Sequence, residues 1–142
     1  MNKKDKENIS NSEKALPSGK GLGWASNIYF IGIGGIGMSA LARYFVANGK
    51  DVAGYDKTPS DITESLQELG VEVHFNDSIS EVKQEFLDKE TTLVVYTPAI
   101  PKGHSELNYF KDNGFKVYKR SQVLGEVTKQ TTCLAVAGTH GK

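Results

Sequence analysis

Six residues near the start of the chain have the spacing of a phosphate-binding turn. They are Gly32, Ile33, Gly34, Gly35, Ile36 and Gly37, which fit the pattern G-x-G-x-x-G. The first glycine permits a tight turn, the second permits a phosphate to approach the backbone, and the third permits close packing of the following helix. Because an apolar run precedes the turn and a helical pattern follows it, the first amides of that helix are expected to hold a diphosphate.

An acidic residue follows at the distance that nucleotide-binding folds require. Asp56 ends the next predicted strand, nineteen residues after Gly37, where a carboxylate can accept hydrogen bonds from a ribose or a base. Taken alone, this arrangement predicts a nicotinamide cofactor. The alternative without a ligand is a glycine-rich turn in which Asp56 only caps the next turn.

A second phosphate-binding pattern stands at the end of the printed chain. A predicted strand at residues 132–138 leads into Gly138, Thr139, His140, Gly141 and Lys142. These residues resemble a P-loop, in which amides surround the phosphates and a lysine neutralises their charge. Val136 replaces the usual first glycine, and the Ser or Thr that normally follows the lysine is absent. The pattern therefore predicts part of an ATP-binding loop.

No further catalytic constellation can be read from the sequence. His74, His104 and His140 are far apart and lack the spacing of metal ligands. The single cysteine, Cys133, excludes an internal disulfide. We therefore predict no catalytic residue and no metal ligand in this chain. His74 is expected to be a packing residue, and His104 is expected to position the start of the next helix.

Strands alternate with helices along the segment that must position these residues. Apolar runs predict strands at 28–33, 51–56, 71–75, 91–97 and 115–119, and helical spacing predicts helices after Gly37 and at 62–69, 80–88, 106–113 and 121–129. Asp61, with Glu64 three residues later, is the expected cap of the second helix. This order predicts an α/β fold with a Rossmann-like open parallel sheet of about five strands and helices on both faces.

Composition restricts the class of protein and suggests how the chain is divided. The 142 residues include 17 basic and 17 acidic side chains, so the neutral charge gives no electrostatic case for a nucleic acid partner. No apolar run approaches the roughly 20 residues that span a bilayer, and a signal peptide is not recognisable, so we expect a cytoplasmic protein without a membrane partner. We predict a disordered leader at 1–26, a nucleotide-binding domain at 27–130, and the beginning of a further domain at 131–142.

Four segments together resemble the muramyl ligase family. They are IGIGGIGMS at 31–39, GYD at 54–56, YTPAIP at 96–101 and AGTHGK at 137–142. In combination they resemble the branch that joins L-alanine to UDP-N-acetylmuramate in peptidoglycan synthesis. The resemblance implies an enzyme of three domains, which bind the UDP part of the substrate, ATP and the amino acid in that order.

The resemblance also implies the chemistry of the whole enzyme and the limits of this chain. An ATP-dependent, amide-forming ligase of this kind activates the muramyl carboxylate as an acyl phosphate in the presence of magnesium, and the amine of L-alanine then attacks it. The chain would be the UDP-binding part, with the first strand and a partial P-loop of the ATP-binding domain. We therefore expect a monomeric fragment that is inactive alone, binds no ATP or magnesium itself, and depends on missing domains for ATP and L-alanine.

The family's site residues are carried over position by position. The loop at 32–37 would hold the UDP diphosphate, and residues 138–142 would belong to the ATP loop. The nucleoside or sugar would be flanked by Asp56, Thr97, Pro98, Ala99 and Ile100. Two positions differ from the usual pattern of the family, because Lys57 stands in place of a serine and Asp77 in place of a histidine that some members carry.

Two other functions remain open at this point. An NAD(P)- or flavin-binding Rossmann domain of an oxidoreductase would share the glycines and Asp56, but it would not need the segment 137–142. A nucleotide-sensing regulatory module would share the fold and would be expected to form a dimer. Arg120, which follows the fifth predicted strand, could approach a phosphate in any of these proteins.

Overall fold

The computed structural model describes residues 22–128. The strands in this part are β1 (Asn27–Ile31), β2 (Asp51–Tyr55), β3 (Glu72–His74), β4 (Thr92–Tyr96) and β5 (Lys116–Lys119). The helices are α1 (Ile36–Ala47), α2 (Asp61–Glu68), α3 (Ser105–Asp112) and α4, which occupies residues 120–128. Most of the predicted leader and all of the predicted segment 131–142 lie outside the described residues.

The five strands form one parallel sheet in the order β3-β2-β1-β4-β5. In the centre, Ile31 at the end of β1 lies beside Tyr55 of β2 and Tyr96 of β4. The chain leaves β1 toward one side of the sheet and leaves β4 toward the other, which opens a crevice at the carboxyl ends of these two strands. The predicted α/β fold class, with helices on both faces, is confirmed.

Apolar side chains cover both faces of the sheet. On one face, helices α1, α2 and α4 pack on a core that includes Phe30, Val95 and Phe45. On the other face, α3 packs on a core that includes Tyr29 and Phe110. Because β1 and β4 are buried on both faces, they can hold the crevice rigidly. Among the described residues, no helix combines the length and the apolar character that crossing a membrane requires.

Three sequence predictions differ from the structure in detail. The first strand ends at Ile31 because Gly32 has a φ of +96° and turns the chain. The predicted helix at 80–88 is wrong, since two short 3₁₀ turns (Ile79–Glu81 and Gln84–Leu87) are separated by the extended residues Val82 and Lys83. The cap of α2 is Ser60 rather than Asp61, because Ser60 and Thr63 exchange side-chain and backbone hydrogen bonds.

Candidate functional site

A cleft of about 770 Å³ lies at the carboxyl edge of the sheet. Its volume falls within the range of small-molecule sites, and its position is the usual one for ligands of open α/β sheets. Four loops that follow β1, β2, β3 and β4 contribute to it. The lining residues are Gly32, Gly35, Tyr55, Asp56, Lys57, Asp77, Thr97, Ala99, Ile100, Pro101, Gly103 and His104.

The glycine-rich turn is held by the neighbouring strand and touches the loop after β4. The amides of Gly32 and Ile33 both donate to the Tyr55 carbonyl, at 2.7 and 2.9 Å. A Cβ atom on Gly32 would lie 3.4 Å from Cδ1 of Ile100 and 3.8 Å from Oγ1 of Thr97. The structure therefore brings together two of the predicted segments, the turn at 32–37 and the loop at 97–100.

The first turn of α1 leaves its amides without acceptors from the helix. Gly35 is the N-cap and offers no side-chain acceptor, and the first turn carries no acidic residue. The first helical bond is that from Ser39 to the Gly35 carbonyl, at 2.8 Å, so the amides of residues 36–38 precede it. A Cβ on Gly35 would meet only the Gly32 carbonyl, 3.8 Å away. Space and free donors for an anion thus coincide at Gly35.

Arg120 lies against this helix terminus, at the third glycine of the motif. A Cβ atom on Gly37 would lie 3.0 Å from one terminal nitrogen of Arg120 and 3.2 Å from Cδ and Cζ. Gly37 therefore makes room for a guanidinium, whereas the sequence predicted that it would permit close packing of the helix on the strand. Arg120 is half-buried, and no hydrogen bond or ion pair links it to the rest of residues 22–128. A cation at the positive end of a helix is stabilised when an anion binds between them.

Asp56 lines the cleft, but its carboxylate is already engaged with the backbone. Oδ1 accepts the Gly34 amide at 2.9 Å and Oδ2 accepts the Thr58 amide at 3.1 Å. A Cβ on Gly34 would lie 2.9 Å from the Asp56 carboxyl carbon. Gly34 is therefore required by Asp56 as well as by any ligand, and Asp56 fixes the shape of the turn.

The remaining predicted residues occupy different surroundings. Thr97, Ala99 and Ile100 line the cleft, whereas Pro98 is exposed and does not. Ile33 is fully buried in the core beneath α1 and packs close to Gly54, so only its backbone is available to a ligand. Ile36 is 80 % exposed at the start of α1. Residues 138–142 lie outside the described part of the chain.

The wall opposite the glycine turn is the start of α3, which the sequence did not single out as a site. Asp77 accepts the amides of Ser105 and Glu106 at 2.7 and 2.9 Å. His104 is the N-cap, and its Nδ1 accepts the Leu107 amide at 3.4 Å. All three first amides of α3 therefore have acceptors. The expectation that His104 positions this helix agrees with its geometry, and His104 also lines the cleft.

The buried carboxylate of Glu106 stabilises the same wall from the side that faces the core. Glu106 has no exposed surface, and its carboxylate accepts the Tyr29 hydroxyl at 2.6 Å, His74 Nε2 at 2.6 Å and the Ser78 amide at 3.1 Å. Burial, together with the adjacent Glu106, raises the pKa of Tyr29 far above its usual range. Tyr29 therefore remains a hydrogen-bond donor, and β1, β3 and α3 are tied together at one point.

Tyr55 connects this wall to the base of the cleft. Its ring meets the His104 ring edge-on, with centroids 4.7 Å apart, and it also contacts His74. Burial raises the pKa of the Tyr55 hydroxyl, and the nearby carboxylates of Asp77, Glu106 and Asp56 raise it further. Tyr55 thus presents a neutral aromatic surface between the acidic residues of the cleft.

Comparison with known families gives a match over most of the chain. Residues 27–132 match the family described as "Mur ligase family, catalytic domain". The chain is 57 % identical over 115 residues to a UDP-N-acetylmuramate–L-alanine ligase of Parabacteroides distasonis, covering 81 % of this chain and 25 % of that protein. It is 60 % identical over 116 residues to the ligase of the same description from Flavobacterium psychrophilum, covering 82 % and 26 %.

Solved structures agree with this result at the level of the fold. The UDP-N-acetylmuramate-alanine ligase of Thermotoga maritima superposes with a TM-score of 0.65 at 28 % identity, covering 73 % of this chain and 23 % of that chain. A murein peptide ligase from Psychrobacter arcticus superposes with a TM-score of 0.61 at 27 % identity, covering 72 % and 20 %. The chain spans about a quarter of the length of the curated relatives that it matches.

Proposed function

Because the chain belongs to the Mur ligase family, we propose that it binds the UDP part of UDP-N-acetylmuramate in the cleft at the carboxyl ends of β1 and β4. The whole protein would join L-alanine to that substrate, with ATP as the source of energy. The relatives that carry this name are more than half identical to the chain over the matched residues. They support the substrate assignment, and the cleft supports its placement.

The observation that carries the proposal is the first turn of α1. Three successive amides, those of residues 36–38, have no acceptor in the helix, and the glycine N-cap leaves the space in front of them open. Such a terminus stabilises an anion through direct hydrogen bonds and through the helix dipole. A diphosphate at this point would direct the attached nucleoside or sugar along the cleft toward Thr97 and Ile100.

Arg120 supplies the side-chain charge that the proposed diphosphate needs. The chain has no net charge, so local groups must provide the attraction. The guanidinium lies over Gly37, beside the free amides, and a bidentate contact with phosphate oxygens suits its geometry. We therefore assign Arg120 to the diphosphate site together with the glycine turn at 32–37.

The parts of the reaction that involve ATP, magnesium and L-alanine would belong to the three quarters of the relatives' length that the chain does not cover. In the chain, residues 138–142 would begin the loop that holds the ATP phosphates. The residues near the cleft would bind and orient the nucleotide, while the carboxylate that reacts would point away from the diphosphate toward the domains that follow. On this view the chain alone binds substrate and forms no amide.

An oxidoreductase domain is the main competing function. Its cofactor would bring a ribose to the Asp56 carboxylate at the end of β2, whose oxygens each accept one backbone amide and retain capacity for a second hydrogen bond, so ligand binding must separate the two functions. A calorimetric titration of the 142-residue chain separates the two functions. We expect saturable binding of UDP-N-acetylmuramate and UDP, and no binding of NADH at the same concentrations. Tight binding of NADH without any heat from UDP would contradict the proposal.

Two variants of matched charge test the placement of the diphosphate. Arg120→Gln should weaken UDP binding about tenfold, corresponding to about 1.4 kcal/mol, because a charge-assisted contact to phosphate is lost. Lys119→Gln removes the same charge one residue earlier, at an exposed position, and should change the dissociation constant less than twofold. Equal losses in the two variants would indicate a general charge effect rather than a contact.

A further inference from the structure

The dipeptide Asn-Gly occurs twice in the chain, and each copy follows a helix. Asn48 and Gly49 end α1, and Asn113 and Gly114 end α3. All four residues are exposed. In this dipeptide the asparagine side chain loses ammonia readily, because a glycine has no side chain to keep its own amide nitrogen away from the asparagine. Two helix ends therefore carry a group that can change covalently without an enzyme.

Both helix ends have a backbone geometry that keeps the reacting atoms apart. Asn48 and Asn113 are C-caps with a ψ of 15°, and the glycine after each has a φ of +80°. Each asparagine donates through Nδ2 to the carbonyl four residues earlier, at 2.7 Å. A ring closed between the glycine nitrogen and the asparagine Cγ brings Cβ into the peptide plane, which requires a ψ far from 15°. Each helix end must therefore unwind locally before it reacts.

The end of α3 is held less firmly than the end of α1. The Gly114 amide donates to the Lys111 carbonyl at 3.4 Å, whereas the Gly49 amide donates to the Val46 carbonyl at 3.0 Å. The longer of these distances lies outside the usual range of such hydrogen bonds. Helix α3 also has 8 residues, compared with 12 in α1, and a shorter helix opens more easily. The nitrogen of Gly114 therefore becomes free at a smaller cost than that of Gly49.

A cation lies against Gly114 and has no counterpart at Gly49. A Cβ atom on Gly114 would lie 3.6 Å from Nζ of Lys89, whereas none of the described residues comes within 4 Å of a Cβ on Gly49. The last turn of α3 also contains Lys111, and the last turn of α1 contains no basic residue. The reacting glycine nitrogen is an anion, so a neighbouring ammonium group stabilises it.

We infer that Asn113 is a site of spontaneous deamidation in the folded chain and that the end of α1 protects Asn48. The Gly114 amide gives its proton to hydroxide, and its nitrogen forms a bond to Cγ of Asn113. The bond from Cγ to Nδ2 breaks, and the leaving nitrogen takes a proton from water and departs as ammonia. Water then opens the cyclic imide to aspartate or isoaspartate. The product lacks the Nδ2 donor and places a negative charge at the end of α3.

Peptide mapping by mass spectrometry measures both sites in the same sample. Trypsin releases Asn48 and Asn113 in separate peptides, residues 44–50 and 112–116. After incubation of the folded 142-residue chain at mildly alkaline pH, we expect Asn113 to convert at least about fivefold faster than Asn48. In urea the two rates should agree within about twofold, because glycine follows both asparagines. Equal rates in the folded chain, faster conversion of Asn48, or conversion of neither residue while both convert in urea would overturn the inference.

Lys89→Gln tests the cation beside Gly114. We expect the variant to slow the conversion of Asn113 about twofold, because the interaction is partly screened by solvent, and to leave Asn48 at its wild-type rate. Lys102→Gln removes the same charge at another exposed position and should leave both rates unchanged. An equal change at the two sites in Lys89→Gln, or no change at Asn113, would overturn the role assigned to Lys89. These results do not involve a ligand, so they leave the proposed function of the cleft unaffected.

Discussion

Two helices begin at the walls of the cleft, and their first turns differ in every polar contact. At α1 the N-cap is a glycine, three amides precede the first helical bond, and the charged side chain against Gly37 is the cation Arg120. At α3 the N-cap is His104, all three amides have acceptors, and the nearest charged group is the anion Asp77. The α2 terminus, away from the cleft, is closed by Ser60 and Thr63 in the same sense as α3.

The difference separates a helix terminus that is open to an anion from a helix terminus that supports the fold. A helix terminus with satisfied amides and an adjacent carboxylate contributes to stability. A terminus with free amides and an adjacent cation lacks this stabilisation in the absence of ligand. It is stabilised only when an anion is bound. We call the start of α3 the closed end and the start of α1 the open end. Substitutions at the closed end should therefore change the free energy of unfolding, and substitutions at the open end should change ligand affinity.

The largest effect on the free energy of unfolding is expected at Glu106, which is buried behind the first turn of α3. Glu106→Ala leaves the Tyr29 hydroxyl, His74 Nε2 and the Ser78 amide without their acceptor, and it should lower the free energy of unfolding by about 3–5 kcal/mol. Urea denaturation measures this loss. Glu68→Gln, at an exposed position of α2, serves as control and should stay within about 0.5 kcal/mol. If Glu106→Ala fails to fold, Glu106→Gln should show a smaller loss of the same sign.

The next largest effect is expected on UDP affinity, from a substitution that gives the free amides of α1 an acceptor. Gly35→Asp introduces an acidic N-cap into α1, where the backbone is extended with φ −71° and ψ 155° and a Cβ has space. We expect UDP affinity to fall about 100-fold, or about 2.7 kcal/mol, because a carboxylate occupies the amides and repels the diphosphate. The free energy of unfolding should stay the same or rise by a few tenths of a kcal/mol.

Gly35→Ser is the uncharged counterpart of that variant. It should reduce UDP affinity less than Gly35→Asp, since the hydroxyl competes for the amides without repulsion. Retention of wild-type affinity in both variants would show that the first turn of α1 is not where the diphosphate binds.

A smaller effect is expected when the cap of the closed end is removed. Asp77→Ala leaves the amides of Ser105 and Glu106 without acceptors and should cost about 2 kcal/mol of stability. Pyrophosphate affinity should remain within twofold, because the anion site at α1 is untouched. Asp61→Ala removes an acid from the first turn of α2, which Ser60 already caps, and should cost about 0.5 kcal/mol. Equal losses in the two variants would contradict a special role for Asp77.

The smallest effect is expected on the pH dependence of the free energy of unfolding at alkaline pH. The pKa of Tyr29 is raised in the folded chain by burial and by Glu106, whereas in the unfolded chain it is about 10. Above that pH the unfolded state loses a proton that the folded state keeps, so stability falls by up to about 1.4 kcal/mol per pH unit for this group. Tyr29→Phe should lessen that slope above pH 10. An unchanged slope would show that Tyr29 ionises freely in the fold.

The same variant at neutral pH is its own control. There both states of the wild type carry a neutral Tyr29, so Tyr29→Phe should differ from the wild type by the lost hydrogen bonds of the hydroxyl to Glu106 and His74, about 1–2 kcal/mol. Unfolding curves in urea at pH 7 and at pH 10.5 supply the comparison.

Local signals in the sequence were sufficient for the open end of this comparison. The order of G-x-G-x-x-G, an apolar strand before it and a helical pattern after it predicts α1 and its first turn, because the turn chemistry and both periodicities are encoded within about twenty residues. The parallel sheet follows from the alternation of strands and helices for the same reason. The contact of Arg120 with Gly37 spans more than eighty residues, and the sequence suggested only that Arg120 could approach a phosphate.

The closed end depends on contacts that local patterns do not contain. Asp77 caps a helix that begins 28 residues later, and Glu106 receives hydrogen bonds from β1, β3 and the loop after β3. A glutamate in the first turn of a helix ordinarily indicates an exposed side chain, so nothing nearby in the sequence predicts its burial. The misplaced cap of α2 and the missed 3₁₀ turns have the same origin, since competing polar residues or tertiary packing decide between similar local choices.

The difference between the two helix termini can be measured directly with a bare anion. In a titration of the 142-residue chain with pyrophosphate, followed by amide resonances, we expect Ile36, Gly37 and Met38 to shift progressively and to saturate together. The amides of Ser105, Glu106 and Leu107 should stay within the range of distant residues, because Asp77 and His104 already accept their hydrogen bonds. Equal shifts at the two termini, or shifts at α3 alone, would contradict the assignment of the diphosphate to the glycine turn.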